Sequence, residues 1–439
     1  MKQKVKLGVV CLARKTFDYQ AAAKIYEAKQ QELRRVEEVD WEFIPGLTIE
    51  IDEAQAAAKK LAAAGLDGLV IISGTFHLGH LALILAREVA RPVLLWAFPE
   101  LPYDGGKIRL NSVCGVNLNA SNLYKAGIGP YDYHVGDEID EVWVDAVRIR
   151  AALARARVGL IGGHAHGFYN LEPRSLDIFN GLGAMVIQYQ LPELFDEPVP
   201  DKAGRENEEY AKKLFDCREL SAEQLKKTGR LAAAIKSFMA SRGLDAIAVR
   251  CWPEFASTYG VSPCAAMSIV QDEGLLTACE GDVELALSMI ALRALGDEAP
   301  FSADLSQVDF EEQSALLWHC GVAPCLLWDG RSERTLDTYF AGGKGVTAGF
   351  VLKEGDFTAA RLDFARGKFR LLSIVGESIG MDKELKGTYA KVKFESDVAD
   401  VFETIVYNGF AHHVAMGYGS YRLALDRYAM MQGFESFGA

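Results

Sequence analysis

Strand-like and helix-like segments alternate through the first 300 residues, and short turn-bounded β-rich segments follow them. Half of the 439 residues are hydrophobic and 24% are charged, enough to bury the cores of about two to four domains at ~100–200 residues each. Together these features predict an α/β protein: two Rossmann-like parallel-sheet domains followed by a β-rich, antiparallel barrel-like C-terminal domain. The expected boundaries are 1–156, 157–299 and 300–439, the last segment carrying a closing helix.

In the first domain Lys6–Leu12 is an apolar strand, and Tyr19–Val39 has helical periodicity rich in Ala, Glu, Lys and Arg. A second strand is expected at Glu42–Pro45 and an Ala-rich helix at Ile51–Ala64. The GLVII run Gly68–Ile72 predicts a third strand, His80–Ala90 a helix and Pro92–Ala97 a fourth strand. Alternation at this spacing means βαβ units, with right-handed crossovers placing helices on both faces. The second domain begins after a long helix, Ile139–Ala156. Strands are expected at Val158–Gly162, Gly183–Ile187 and Ala246–Arg250, with charged helical spacing across Glu206–Arg230. In the last third Val346–Leu352, Phe357–Phe364, Lys368–Val375 and Tyr389–Phe394 are rich in β-formers. No internal repeat or low-complexity segment interrupts the chain.

Acidic residues number 60 and basic residues 47, a formal charge of −13 and a pI near 5.2. A field of that sign repels phosphate backbones and anionic lipids, so neither nucleic acid nor a membrane surface is an expected partner. No stretch reaches ~18 uninterrupted apolar residues. The apolar run after Met1 is too short for a signal-peptide core with its cleavage site. Eight scattered cysteines without a CxxC pair point to reduced thiols and the cytoplasm.

The strand Val158–Gly162 runs into Gly162-Gly-His-Ala-His-Gly167, which matches neither GxGxxG nor GxxxxGK[ST]. No nucleotide cofactor is therefore expected, and a tight turn that requires glycine explains the motif. His164 and His166 nevertheless lie where ligands collect, at the carboxyl end of a parallel strand. Between residues 250 and 320, Glu280 and Asp282 open an apolar helix, where N-terminal capping would account for them. Asp304 has the alternative of a turn residue, and His319 and Trp252 of core packing. What those alternatives leave unexplained is that Glu280, Asp304 and His319 all fall at the ends of strongly apolar segments, where clefts form. His412 and His413 are adjacent on an extended segment, so only one is expected to reach a given site. Two carboxylates and an imidazole with positions open to hydroxyls suit Mn²⁺ or Mg²⁺ rather than structural zinc. Cys279 and Cys320 are read most simply as small buried hydrophobes.

The series CEGDVELAL, PFSADL, LLWHCG and AHHVAM resembles the metal-site signature of the L-fucose isomerase and L-arabinose isomerase superfamily of ketol isomerases. Leu66–Phe76 followed by Pro92–Trp96 is similar to that superfamily's N-terminal pattern, and Leu352–Thr358 and Gly367–Glu377 to its barrel strands. The resemblance implies that Glu280 binds metal and shuttles protons and that Asp304 is its acidic partner. It implies His413 as the late histidine ligand, with His412 as fallback, and His319 as a further ligand used by the arabinose branch. The implied cofactor is Mn²⁺, with Mg²⁺ or Co²⁺ as substitutes. A homotrimer or homohexamer is implied too, in which the N-terminal domain of one subunit closes its neighbour's site. The loop Ser73–His80 would then carry His77 outward to a sugar, the alternative being local packing of that histidine. Arg250 and Trp252 are expected to line the sugar pocket.

The implied reaction interconverts an aldose and its 2-ketose through a metal-stabilised enediolate, with carboxylates moving the proton. Two other classes compete with it: a metal-dependent sugar aldolase or hydrolase, and a non-catalytic sugar-binding protein made of two lobes. The identity of the sugar is not encoded in any of these motifs.

Overall fold

The computed structural model describes residues 1–438, which divide into two compact units: Lys2–Ala151 with Met430–Gly433, and Ala152–Ala429 with the strand at the C-terminus. No helix among the described residues is long and apolar enough to cross a membrane.

The first unit is built on a parallel sheet of β1 (Val5–Leu12), β2 (Val39–Thr48), β3 (Gly68–Ser73), β4 (Val93–Ala97) and β5 (Tyr131–Val135), in the order β2-β1-β3-β4-β5. Strands β3 and β4 are buried along their whole length, and only Lys6 of β1 is partly exposed. That is why they read as unbroken apolar runs. The edge strands departed from expectation. β2 is ten residues long rather than four, and Pro45 is tolerated because the pairing with β1 slips between Val9 and Cys11 on an otherwise open edge. The preceding helix stops at Leu33, before this longer strand begins. β5, with the sequence YDYHV, went unpredicted because it lies on the opposite edge and carries polar residues.

The loop after β3 does not present His77 outward. The side chain is fully buried, with Ser73 Oγ and Asn119 Nδ2 at 3.1 and 3.2 Å from Nε2 and the Leu78 carbonyl at 3.3 Å from Nδ1. A carbonyl can only accept, so Nδ1 donates, Nε2 accepts and the ring is neutral. Burial holds its pKa down to about 4, against an ordinary 6.5. The expectation of an outward-reaching sugar contact is corrected to local packing.

The second unit contains a parallel sheet of β6 (Arg157–Ile161), β7 (Met185–Tyr189), β8 (Ala246–Val249) and β9 (Leu276–Ala278), ordered β7-β6-β8-β9. Strand β7 begins two residues later than expected because Gly183 caps the preceding helix in the left-handed region. The rest is β10 (Phe301–Asp309), β11 (Ser314–His319), β12 (Thr335–Asp337), β13 (Thr347–Val351), β14 (Gly355–Ala365), β15 (Lys368–Ile379), β16 (Thr388–Phe394), β17 (His413–Tyr418) and β18 (Glu435–Gly438). Six of these close an antiparallel barrel, β16-β11-β10-β17-β14-β15 and back to β16, with β12, β13 and β18 as additions. The helix Val283–Ala294 is almost wholly buried and packs on β8 and β9 on one side and on β14 and β17 on the other. The hydrophobic core that runs from Ile161 and Val249 of the sheet to Phe301 and Val414 of the barrel also takes in the helix Cys264–Gln271.

A buried neutral His77 makes the first unit acid-sensitive. The unfolded chain takes up a proton below pH 6.5 and the folded chain only near pH 4, so ~3 kcal/mol of stability is lost as pH falls through that window. Hydrogen exchange at β3 amides should accelerate between pH 6.5 and 4 beyond its intrinsic pH dependence, and His77→Gln should flatten that excess.

Candidate active site

Glu280 sits in the turn between β9 and the central helix. Its backbone is left-handed (φ +60°), as is that of Gly281 (φ +76°). Two hydrogen bonds hold this conformation: Ala165 N donates to the Glu280 carbonyl (2.8 Å), and Gly281 N donates to the Val249 carbonyl (3.0 Å). A Cβ at position 281 would collide with the Gly163 carbonyl oxygen, so only glycine fits there. The GGHAHG turn thus braces the backbone of Glu280. Asp282 completes the segment as the N-cap of the helix, accepting from Leu285 N at 2.9 Å.

The barrel supplies the other groups by register. Asp304 on β10 is paired directly with His413 on β17, so both side chains point to the same face. His413 Nε2 lies 3.4 Å from Glu280 Oε2 and 3.5 Å from Asp304 Oδ1. His319, the last residue of β11, brings its ring centroid to 5.6 Å from that of His413. The structure therefore gathers Glu280, Asp304, His319 and His413 from four separate segments. Asp304 is a strand residue, not a turn residue, and Glu280 does not cap the helix.

Behind His413 lies a fully buried ionic network. His413 Nδ1 donates to Asp282 Oδ2 (2.9 Å), and Arg361 on β14 donates from Nη1 to the same carboxylate oxygen (2.6 Å) and to the His413 carbonyl (3.3 Å). Burial alone would push the His413 pKa down, but Asp282 and Glu280 outweigh it and push the pKa up to about 9. Burial likewise pushes the carboxyls of Glu280 and Asp282 up, and the groups beside them pull both well below the usual carboxylate range. For Glu280 these groups are His412 and His413; for Asp282 they are Arg361 and His413. In His319 burial depresses the imidazole, which is neutral. Its Nδ1 accepts from the Cys320 amide (2.9 Å), so its proton is carried on Nε2.

Around the carboxylates stand aromatic groups. Trp252 Nε1 donates to Glu280 Oε1 at 3.3 Å, and Phe168 packs edge-on against both Trp252 (5.5 Å between centroids) and His412 (5.2 Å). Adjacency does not separate the two histidines fully, because His412 Nε2 also comes within 3.4 Å of Glu280 Oε2. Only His413 is buried and oriented by a second carboxylate. Arg250 turns toward the turn backbone, donating to the Gly162 carbonyl (3.1 Å) and pairing with Glu254 (2.5 Å). His164 pairs with Glu172 at 2.6 Å.

The donor set fits a hard dication. Glu280 and Asp304 offer carboxylate oxygens and His413 an imidazole nitrogen already aligned by Asp282, the usual arrangement behind a metal-ligating histidine. Asp304 Oδ1 and His319 Nε2 are buried without a hydrogen-bond partner. Asp304, His319 and His413 present ligand atoms within 4.8 Å of one another, and so do Glu280, His412 and His413.

Residues 8–159 match a family model described as fucose/sulfoquinovose isomerase, N-terminal domain. Sulfoquinovose isomerases of Priestia aryabhattai and Priestia megaterium are each 27% identical over 420 residues, which span 93% of this chain and 94% of the relative. These matches support an L-fucose isomerase-like superfamily member. The sulfoquinovose isomerase of Alkalicoccus urumqiensis is 27% identical over 360 residues, covering 80% of this chain and 81% of its own. The chain is an aldose–ketose isomerase, which sets aside the aldolase, hydrolase and binding-protein classes.

Three of this isomerase's groups escaped the sequence analysis. Asp282 was legible only as a cap, and its second task, orienting His413, depends on β17 lying across the helix start. Arg361 left a signal: an arginine in the middle of an apolar strand, FTAARLDF, is a buried charge that requires a partner. Phe168 left none.

Any dication bound by His413 Nε2 must displace its proton. Below pH ~9, affinity for Mn²⁺ should rise about tenfold per pH unit, with about one proton released per ion at neutral pH. Calorimetry in buffers of different ionisation enthalpy counts that proton. In Asp282→Asn, which loses the charge that holds it, the count should fall toward zero.

Proposed function

We propose that this isomerase converts sulfoquinovose, a glucose carrying a C6 sulfonate, into its 2-ketose, using a Mn²⁺ ion held by Glu280, Asp304 and His413. The sugar is inferred from relatives that align over nearly the whole chain, and the metal from two donor groups that share His413, one with Glu280 and His412 and one with Asp304 and His319. The observation that carries the metal site is the pair of carboxylates at 3.4 and 3.5 Å from one buried, carboxylate-oriented imidazole.

When bound, a dication would polarise the oxygens on two adjacent sugar carbons and acidify the proton between them. Glu280 takes the proton from C2 and returns it to C1, anchored meanwhile by the Trp252 N–H on its other oxygen. Asp304, whose Oδ1 has no partner, relays the hydroxyl proton from O2 to O1. His319 contributes its Nε2–H as a donor rather than a coordinate bond, because its Nδ1 lone pair is committed to the Cys320 amide. Trp252, Phe168 and His412 supply the apolar wall on which a sugar ring can rest. Mg²⁺ or Co²⁺ would substitute for Mn²⁺. The assembly proposed with this activity is a homotrimer or homohexamer in the cytoplasm, and light scattering on the purified protein tests its size.

A panel of sulfoquinovose, glucose and fucose with Mn²⁺, scored by NMR, should give ketose from sulfoquinovose fastest. Chelation should abolish turnover and Mn²⁺ restore it. Glu280→Gln should keep the fold and lose about 10²–10⁴-fold in kcat. Undiminished turnover in the chelated enzyme would refute the metal mechanism, and faster conversion of glucose or fucose would refute the sugar.

A further inference from the structure

Half of the chain's eight cysteines converge beside His319. Cys251 follows β8, Cys264 opens the helix Cys264–Gln271, Cys279 follows β9 and Cys320 follows β11. Cys264 Sγ lies 3.5 Å from Cys320 Sγ, and Cys251 Sγ lies 3.2 Å from Cys279 Sγ. The Cys279 thiol also interacts with those of Cys264 and Cys320. His319 Nδ1 is 3.2 Å from Cys320 Sγ, and Cys279, His319 and Cys320 present ligand atoms within 4.8 Å of one another. Cysteines that serve only as small hydrophobes pack against carbon. Here four of them, brought from four elements, pack sulfur against sulfur.

We propose that Cys279, Cys320 and His319, with the neighbouring Cys264 available as a fourth ligand, form a second metal site selective for a thiophilic dication such as zinc or cadmium. A tetrahedral ion with sulfur ligands at ~2.3 Å needs its donors ~3.7 Å apart; Cys320 Sγ lies 3.5 Å from Cys264 Sγ and 3.2 Å from His319 Nδ1, and Cys279 lies within 4.8 Å of His319 and Cys320. The site is separate from the oxygen-rich one, which shares no sulfur ligand with it. Only the His319 ring belongs to both, with Nδ1 3.2 Å from Cys320 Sγ. An ion at Nδ1 replaces the hydrogen bond from the Cys320 amide and leaves the Nε2 proton in place. The two sites can therefore fill together. Thiolates select soft ions and carboxylates hard ones, so each ion has its own preferred seat.

The test titrates the reduced, Mn²⁺-loaded full chain with Cd²⁺, following the ultraviolet thiolate-to-cadmium charge-transfer band and counting both metals by mass spectrometry. One Cd²⁺ per chain with the band present and Mn²⁺ retained is the expected result. Cys279→Ser and Cys320→Ser should each shift the titration to at least roughly tenfold higher cadmium. Cys114→Ser, which removes an exposed thiol elsewhere, should leave it unchanged. Circular dichroism and retained Mn²⁺ show that the variants are folded. Absence of the band in the wild-type chain overturns the proposal. So does a band unaffected in the Cys279→Ser/Cys320→Ser double variant, or cadmium that enters only by displacing Mn²⁺.

Discussion

The fully buried ion pair between Arg361 and Asp282 is the constraint from which the geometry of the site follows. A guanidinium with no solvent contact is tolerable only when its charge is compensated on the spot, and Asp282 does this through two contacts, at 2.6 and 3.3 Å. The same carboxylate caps the central helix and accepts the Nδ1 proton of His413. One side chain thus ties a barrel strand, a helix N-terminus and a second barrel strand together. Removing either partner would leave the other charged and buried, at a cost of about 3–5 kcal/mol. The carboxyl of Glu284, 3.5 Å from Arg361, is pushed up by burial and by the nearby Asp363 and Asp282, against the pull of Arg361.

This arrangement explains why the site lies where the parallel sheet meets the barrel. The carboxyl ends of β8 and β9 supply a turn, as open α/β sheets do for their ligands. The turn is strained: a non-glycine residue in the left-handed region costs of order 1–3 kcal/mol. Backbone bonds from Ala165 and to Val249 hold it there, and the result is a carboxylate aimed away from the helix it precedes. The barrel then sets Asp304 opposite His413 by strand register, which a one-residue slip would destroy by turning both side chains away. The site is therefore as precise as the packing of the Val283–Ala294 helix against both layers.

How much of this was legible in the sequence depended on the range of the forces involved. Apolar runs such as Gly68–Ile72 and Pro92–Ala97 announced themselves because complete burial imposes one residue type. The edges β2 and β5, half-exposed, carry no such imprint. Glu280, Asp304, His319 and His413 were identifiable as residue types in a resembling pattern, and the structure brings these four together. Their division of labour was not identifiable. That Asp282 orients an imidazole, that His319 presents N–H rather than a lone pair and that His77 lies buried in a hydrogen-bonded niche all depend on partners 1 to 131 residues distant in sequence. The scatter of the cysteines along the chain also hid the convergence of four of them in space.

The position of His319 shows how the two donor sets remain distinct. One face of the ring region is lined by carboxylates and the other by thiols, and the imidazole between them has one nitrogen for each. Because the Cys320 amide donates to Nδ1, the neutral ring has only one tautomer available, with its proton on Nε2. Burial keeps the ring neutral, so it adds no positive charge beside Glu280 and Asp304 that would compete with a bound dication. A lysine or arginine at this position would compete. A neutral imidazole with a fixed tautomer does not, which gives His319 a chemical reason to be there whether or not an ion occupies the sulfur side.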